Sequence, residues 1–160
     1  NVGDTFTFQD HDSSGPYSIP ATARHLFIDP DVPASLTIWV ADDSWNDSNC
    51  EKTYCISQTM VDIIASRFLQ TGNDNDIYDW VNNVFGQPWG DHSYNTLLDP
   101  STNDIHILLF DIDADDSTNG GIVGFFWAKD NYIQDSSDQY LATSNERLMF
   151  YLDSVFSFDE

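Results

Sequence analysis

Apolar residues along this chain fall mostly into short runs of five to seven, with one long helical periodicity. Residues 2–8 alternate weakly through Phe6 and Phe8 and read as a strand. Residues 10–18 are rich in Asp, Ser, Gly and Pro and read as a loop. Residues 21–28 end in Leu26-Phe27-Ile28, a strand stopped by Asp29-Pro30 and Pro33. Residues 36–41, Leu-Thr-Ile-Trp-Val-Ala, are β-branched and aromatic, which predicts a central strand. A polar loop follows over 42–54. Residues 56–70 carry Ile56, Met60, Ile63, Ile64 and Phe68 at helical spacing, widened by Val61 and Leu69, with Gly72 at the stop. A second helix fits 77–85, capped by Asp76, stopped by Gly86, with Ile77, Trp80, Val81 and Val84 on one stripe. After an irregular stretch over 87–103, strands are predicted at 105–110, 122–127 and 147–152. The order β-β-β-α-α-β-β-β describes an α+β domain, a mixed β-sheet with two backing helices. No repeat or linker divides it, so 1–160 reads as one domain, with 1–20 as an extension.

Charge narrows the partners. Twenty-seven acidic residues face five basic ones, a net charge of −22. All but Glu51, Glu146 and Glu160 of the acids are Asp. Nucleic-acid binding is disfavoured, because phosphate neutralisation needs clustered Lys and Arg. Membrane insertion is not expected: the longest strongly apolar run, 105–110, is far below the ~18–20 residues of a spanning helix. Asp favours turns, caps and short-armed oxygen cages around hard cations. The excess therefore fits either an acid-solubilised surface or a calcium-rich extracellular protein.

Cys50 and Cys55 are too far apart for a Cys-x-x-Cys redox pair and lack the partners of a zinc site. A local disulfide in an oxidising, extracellular setting is one reading; two free thiols are the other. Asn46-Asp47-Ser48 is a glycosylation sequon. The densest acidic group is Asp111, Asp113, Asp115 and Asp116, placed directly after an apolar run. Two such charges ~6 Å apart repel by about 0.7 kcal/mol even in water. Calcium would relieve that repulsion, and the 1,3,5 spacing resembles the start of a calcium loop. It is not an EF-hand, since Asp116 stands where Gly and Ile122 where Glu would be needed. A solvated acidic turn is the competing reading. Asp10-His-Asp12-Ser-Ser14-Gly15 is a weaker copy of the spacing. Asn73–Asp76 suits helix capping, and Asp42-Asp43 a strand exit.

No catalytic constellation is complete. The four His (11, 25, 92, 106) form no His-x-x-x-His pair, and His106 alternates within a predicted strand as a sheet residue would. No Gly-x-Ser-x-Gly elbow occurs. Gly120-Gly121 and Gly124 precede a strand, which does not suit a dinucleotide fingerprint. No Asp pair stands out for glycoside hydrolysis.

One stretch carries a family resemblance. Ile105-His-Ile-Leu-Leu-Phe-Asp111-Ile-Asp113 leads through Gly120-Gly-Ile-Val-Gly-Phe-Phe-Trp127 to Asp130-Asn-Tyr132, and on through Ser144-Asn-Glu-Arg147 to Tyr151-Leu-Asp153. Together with Ile56-Ser-Gln-Thr-Met60 and Ile77-Tyr-Asp-Trp80 upstream, this resembles the catalytic domain of hyicolysin-like secreted bacterial neutral zinc metallopeptidases, over residues 20–155. The resemblance implies a zincin fold, peptide or protein substrates, secretion, and zinc held by a His-Glu-x-x-His helix. That motif does not occur in these 160 residues. The expectation is therefore an N-terminal portion of the catalytic domain, its zinc ligands carried by the rest of that domain, or a relative without them. By analogy with zincins, Phe125, Phe126, Trp127 and Ala128 are expected to form a substrate-pairing edge, the alternative being an ordinary buried strand. A different function class also fits: a non-catalytic, calcium-stabilised adhesive or structural module that self-associates through aromatic strands. Another hydrolase built on Asp pairs is a third reading.

Overall fold

Three of the apolar runs become the middle of one sheet, and burial on both faces is why they read as runs instead of alternating. The computed structural model describes residues 1–12, 15–30, 34–70, 76–86, 92–99, 103–116 and 121–155. In it β3 (Ser35–Ala41), β4 (Asp104–Phe110) and β6 (Leu148–Asp153) lie side by side and parallel. Successive side chains point to opposite faces. Leu36, Ile38 and Val40 join Ile105, Ile107 and Leu109 on one face. Trp39, Leu108, Phe110, Met149 and Tyr151 pack on the other. A sheet covered on both sides needs apolar residues at every position.

The N-terminal region departs from the sequence reading. Residues 10–18 are not a loop: β1 (Thr5–Asp12) and β2 (Gly15–Phe27) pair as an antiparallel hairpin from Thr5↔Thr22 to Asp12↔Gly15. Pro16 and Ser18, which suggested a loop, are exposed on this hairpin. Asp10 is buried and instead accepts a hydrogen bond from the cross-strand Tyr17 hydroxyl at 2.8 Å. β3 pairs with β2 only from Ala21 onward. Pro16 and Pro20 therefore fall where β2 has one partner strand, a place that tolerates a missing N–H. A register shift between Ala23 and His25 marks a bulge in β2.

The helices begin where their caps dictate. α1 is Gln58–Phe68, two residues shorter at each end than the 56–70 periodicity suggested. The Ser57 hydroxyl accepts from the Met60 amide at 3.4 Å, and Ile56 is taken by a bridge to Trp45. Val61 and Ala65 are its buried residues, whereas Ile63 is exposed. α2 is Ile77–Phe85 as expected, with Gly86 at φ +87 ending it. One Asp76 oxygen accepts from the Asp79 amide at 3.0 Å and the other from the Gln70 amide at 2.9 Å, so a single carboxylate starts α2 and holds the end of α1. The apolar stripe of α2 is largely open: Tyr78 is buried, but Ile77, Trp80, Val81 and Val84 are exposed and Phe85 is 84% exposed. Gly72 and Asn73–Asn75 lie outside the described residues.

The last strand in space is β5 (Gly124–Phe125), much shorter than the expected 122–127, because the chain enters a 3-10 turn at Ala128–Asn131. The sheet order is β1-β2-β3-β4-β6-β5, with β5 antiparallel to β6. The α+β class and mixed sheet are as read from the sequence. No helix among the described residues is long and apolar enough to cross a membrane.

Candidate functional site

β5 exists because Gly124 lets two backbones touch. A Cβ at this position would lie 2.6 Å from the Tyr151 carbonyl oxygen and 2.7 Å from Leu152 Cδ2, closer than any side chain tolerates. The glycine thus permits the rungs Gly124↔Leu152 and Phe125↔Tyr151, extended by the Asp153 amide donating to the Val123 carbonyl at 2.9 Å. The opposite side of β5 faces no further strand among the described residues. Of the four expected edge residues, only Phe125 is in the edge strand. Its ring stacks on Tyr151 at 4.5 Å and 9°. Phe126 points to the other face, 52% exposed and 6.1 Å from the Phe150 ring. Trp127 continues extended, with the Lys129 ammonium 4.7 Å from its ring centroid, and Ala128 opens the 3-10 turn.

The segment after β5 is anchored by a buried polar node that sequence reading missed. Lys129, Asp130, Asn145 and Tyr151 are all buried. The Lys129 ammonium donates to Asp130 Oδ1 at 2.7 Å, the Thr143 carbonyl at 2.9 Å and the Gln9 carbonyl at 3.2 Å, using all three of its protons. Asp130 also accepts from the Asn145 amide at 2.7 Å and the Tyr151 hydroxyl at 2.6 Å. Burial, then the Asp130 charge, push the Tyr151 phenol far above its ordinary pKa, so it stays a donor. Asn145 closes the node onto β1, exchanging hydrogen bonds with the Gln9 backbone in both directions. These residues come from four separated stretches, and no local pattern announces them.

The acidic loop after β4 is held by the cysteine loop. Cys50 and Cys55 form a disulfide. Lys52, inside that loop, reaches Asp111 Oδ2 at 2.9 Å and Asp43 at 3.3 Å. Burial opposes its charge, but the Asp111 hydrogen bond and the two carboxylates outweigh it and raise its pKa. Thr53 donates its amide (2.8 Å) and hydroxyl (2.6 Å) to Asp116, lowering that carboxyl's pKa. Asp113 and Asp115 are exposed, and Asp113, Ala114 and Asp116 all have positive φ. Asp111 and Asp116 therefore meet an ammonium and a threonine of this chain. Among the described residues no group of three or more His, Cys, Asp or Glu is arranged to hold a metal ion.

The histidines do not converge either. His25 lies 3.8 Å from Asp62. His106 Nδ1 accepts from the Trp39 indole N–H at 3.0 Å, and burial, helped by Arg147, pushes its pKa down to about 4. It is a neutral sheet residue, as its alternation suggested. His92 stands beside Tyr94 on the 92–99 segment, and the His11 side chain lies outside the described residues. Among the described residues the donors do not fit a zinc site.

Beside β5 lies an apolar groove of about 720 Å³ between α1, α2 and the helix-side face of β4 and β6. Ile64, Phe68, Val81, Phe126 and Phe150 line it, with Arg67 as its one cation. The open stripe of α2 faces into this region through Ile77 and Val81.

Comparison with known proteins adds one finding. A family model described as Peptidase M30 matches residues 20–157, from within β2 to just past β6. No curated protein matches the chain.

Proposed function

The chain belongs to the peptidase M30 family, and from that premise we propose that it is the sheet-bearing part of a secreted zinc metalloendopeptidase. The membership makes it a metallopeptidase-related region whose family acts on peptides or proteins. The observation that carries the finer reading is β5. It is a two-residue antiparallel strand at the open end of an otherwise parallel run, and the matched region spans it. An extended peptide laid along Gly124–Phe125 adds a strand through main-chain hydrogen bonds, and Phe126 supplies an apolar wall on the groove side. Phe125 cannot serve as a side-chain contact there, because its ring is committed to Tyr151.

Among the described residues zinc donors do not assemble, so no chemical step is assigned to them. The role left to the chain is to hold substrate and scaffold. The helix bearing the donors is then supplied by polypeptide outside these 160 residues, and the groove is where we place it. Its lining is apolar, and a second copy at net charge −22 would be repelled. Calcium at Asp111–Asp116 stays a secondary proposal, supported by the exposed Asp113 and Asp115 and weakened by Lys52 and Thr53.

The test is expression of the reading frame continued past residue 160. We expect one bound zinc and chelator-sensitive hydrolysis of casein. Ala and Pro substitution at 124–127 should then reduce turnover. A zinc-free product inert on casein defeats the reading. Unchanged turnover in the Pro variants defeats the edge-strand part alone.

A further inference from the structure

We propose that the compact state of this protein is conditional on ionic strength: its acidic residues far outnumber the basic ones that could neutralise them, and dissolved cations must supply the balance. The composition sets the scale, with 27 acidic residues against five basic ones. What the fold does with the five is the decisive observation. Lys129 is buried on Asp130. Lys52 is drawn in between Asp43 and the buried Asp111. Arg24 lies on the Trp45 ring at 4.0 Å, and Arg147 on the Phe6 ring at 3.9 Å. Arg67, exposed at the end of α1, borders the apolar groove. So Lys129 and Lys52 serve buried carboxylates, Arg24 serves Asp42 and Asp47 as well as the Trp45 ring, and few acids go inside. Among the described residues only Asp10, Asp76, Asp111, Asp130 and Asp153 are buried. The other acids whose side chains are described are exposed or half-buried.

Folding gathers these charges from an expanded chain into a body tens of ångströms across, which raises their mutual repulsion. Ions screen it over a Debye length of ~30 Å at 0.01 M, ~8 Å at 0.15 M and ~3 Å at 1 M. Raising the salt across that span shortens the reach of the repulsion about tenfold. Salt should therefore act on the whole surface at once and not at one site. The inference does not depend on the peptidase reading, because it concerns the folded state and no activity.

The experiment is urea unfolding of the protein followed by circular dichroism between 0.05 and 0.5 M NaCl. In this range screening changes more than salting-out does. KCl serves as a parallel series, and MgCl₂ and CaCl₂ are matched to it in ionic strength. The unfolding equilibrium constant is expected to fall at least tenfold across the range, equally in Na⁺ and K⁺. A chain unfolded at 0.05 M that folds on salt addition gives the same result. A change below tenfold overturns the proposal. So does stabilisation by millimolar Ca²⁺ that Mg²⁺ at equal ionic strength does not reproduce, since that places the effect in a specific site.

Discussion

Lys129→Met removes the cation of the buried node and keeps most of its stem. The ammonium gives its three protons to Asp130, Gln9 and Thr143 at 2.7–3.2 Å. The Gln9 carbonyl retains Asn145 Nδ2, but the Thr143 carbonyl loses this donor. Asp130 retains the Asn145 amide and the Tyr151 hydroxyl, yet keeps a negative charge in a site only 1% exposed. Removing one partner of a buried ion pair costs roughly 3–5 kcal/mol. For a domain of this size that corresponds to a melting point lower by about 10 °C. The charge itself can then be tested. In the Lys129→Met background, Asp130→Asn removes the unpaired charge and keeps one oxygen, enough for the Tyr151 hydroxyl but not also for the Asn145 amide, so it should recover part of the loss, about 1 kcal/mol. In the parent protein the same change should destabilise. Urea unfolding of the four proteins gives this coupling directly. A loss below about 1 kcal/mol for Lys129→Met, or no recovery on adding Asp130→Asn, refutes the reasoning.

Gly124→Ala should force β5 away from β6, at a cost of about 1–3 kcal/mol, seen as faster hydrogen exchange at the Asp153 amide with the β3–β4 ladder unchanged. His106 has a folded pKa of about 4, below its ordinary value of 6.5. Between those values the unfolded chain binds a proton that the fold refuses, so stability falls as pH drops from 6.5 to 4, by about 3 kcal/mol in all. His106→Gln, which offers Trp39 an amide oxygen, should flatten that part of the unfolding profile. Replacing both Cys50 and Cys55 by Ser should cost about 2 kcal/mol, the closure entropy of so short a loop, and should expose the Thr53 amide to exchange.

What was legible in the chain was what depends on neighbours in sequence. α2 could be bounded to the residue because Asp76 and Gly86 are local signals. β3, β4 and β6 were plain because burial on two faces writes an uninterrupted apolar run. The hairpin at 10–18 was hidden by its polar composition and by prolines that are harmless where β2 has one partner. The short β5 was overextended because six apolar residues do not reveal that the chain turns at Ala128. At the candidate site, Gly124 and Phe125 lay in a recognisable segment. Asp111, Asp130, Asn145 and Tyr151 lay in the same resembling stretch, but their partners could not be read from it. Lys52 meets Asp111 across 59 positions, and Asn145 meets Gln9 across 136, with nothing in either neighbourhood to mark the partner.

The strand order also dictates a sequence of events as the chain folds. β1, β2 and β3 are joined by short connections and pair with immediate neighbours. They can assemble early, at the loop-closure times of hairpins. β4 cannot join them so cheaply, because the first rung of the parallel ladder ties Ser35 to Asp104, 69 positions on. Until that distance closes, β3 stands as an open edge with a wholly apolar face. β6 and β5 must wait in turn for β4. The slow step should therefore be the docking of β4, with the N-terminal meander formed ahead of it and prone to pairing with another chain in the interval.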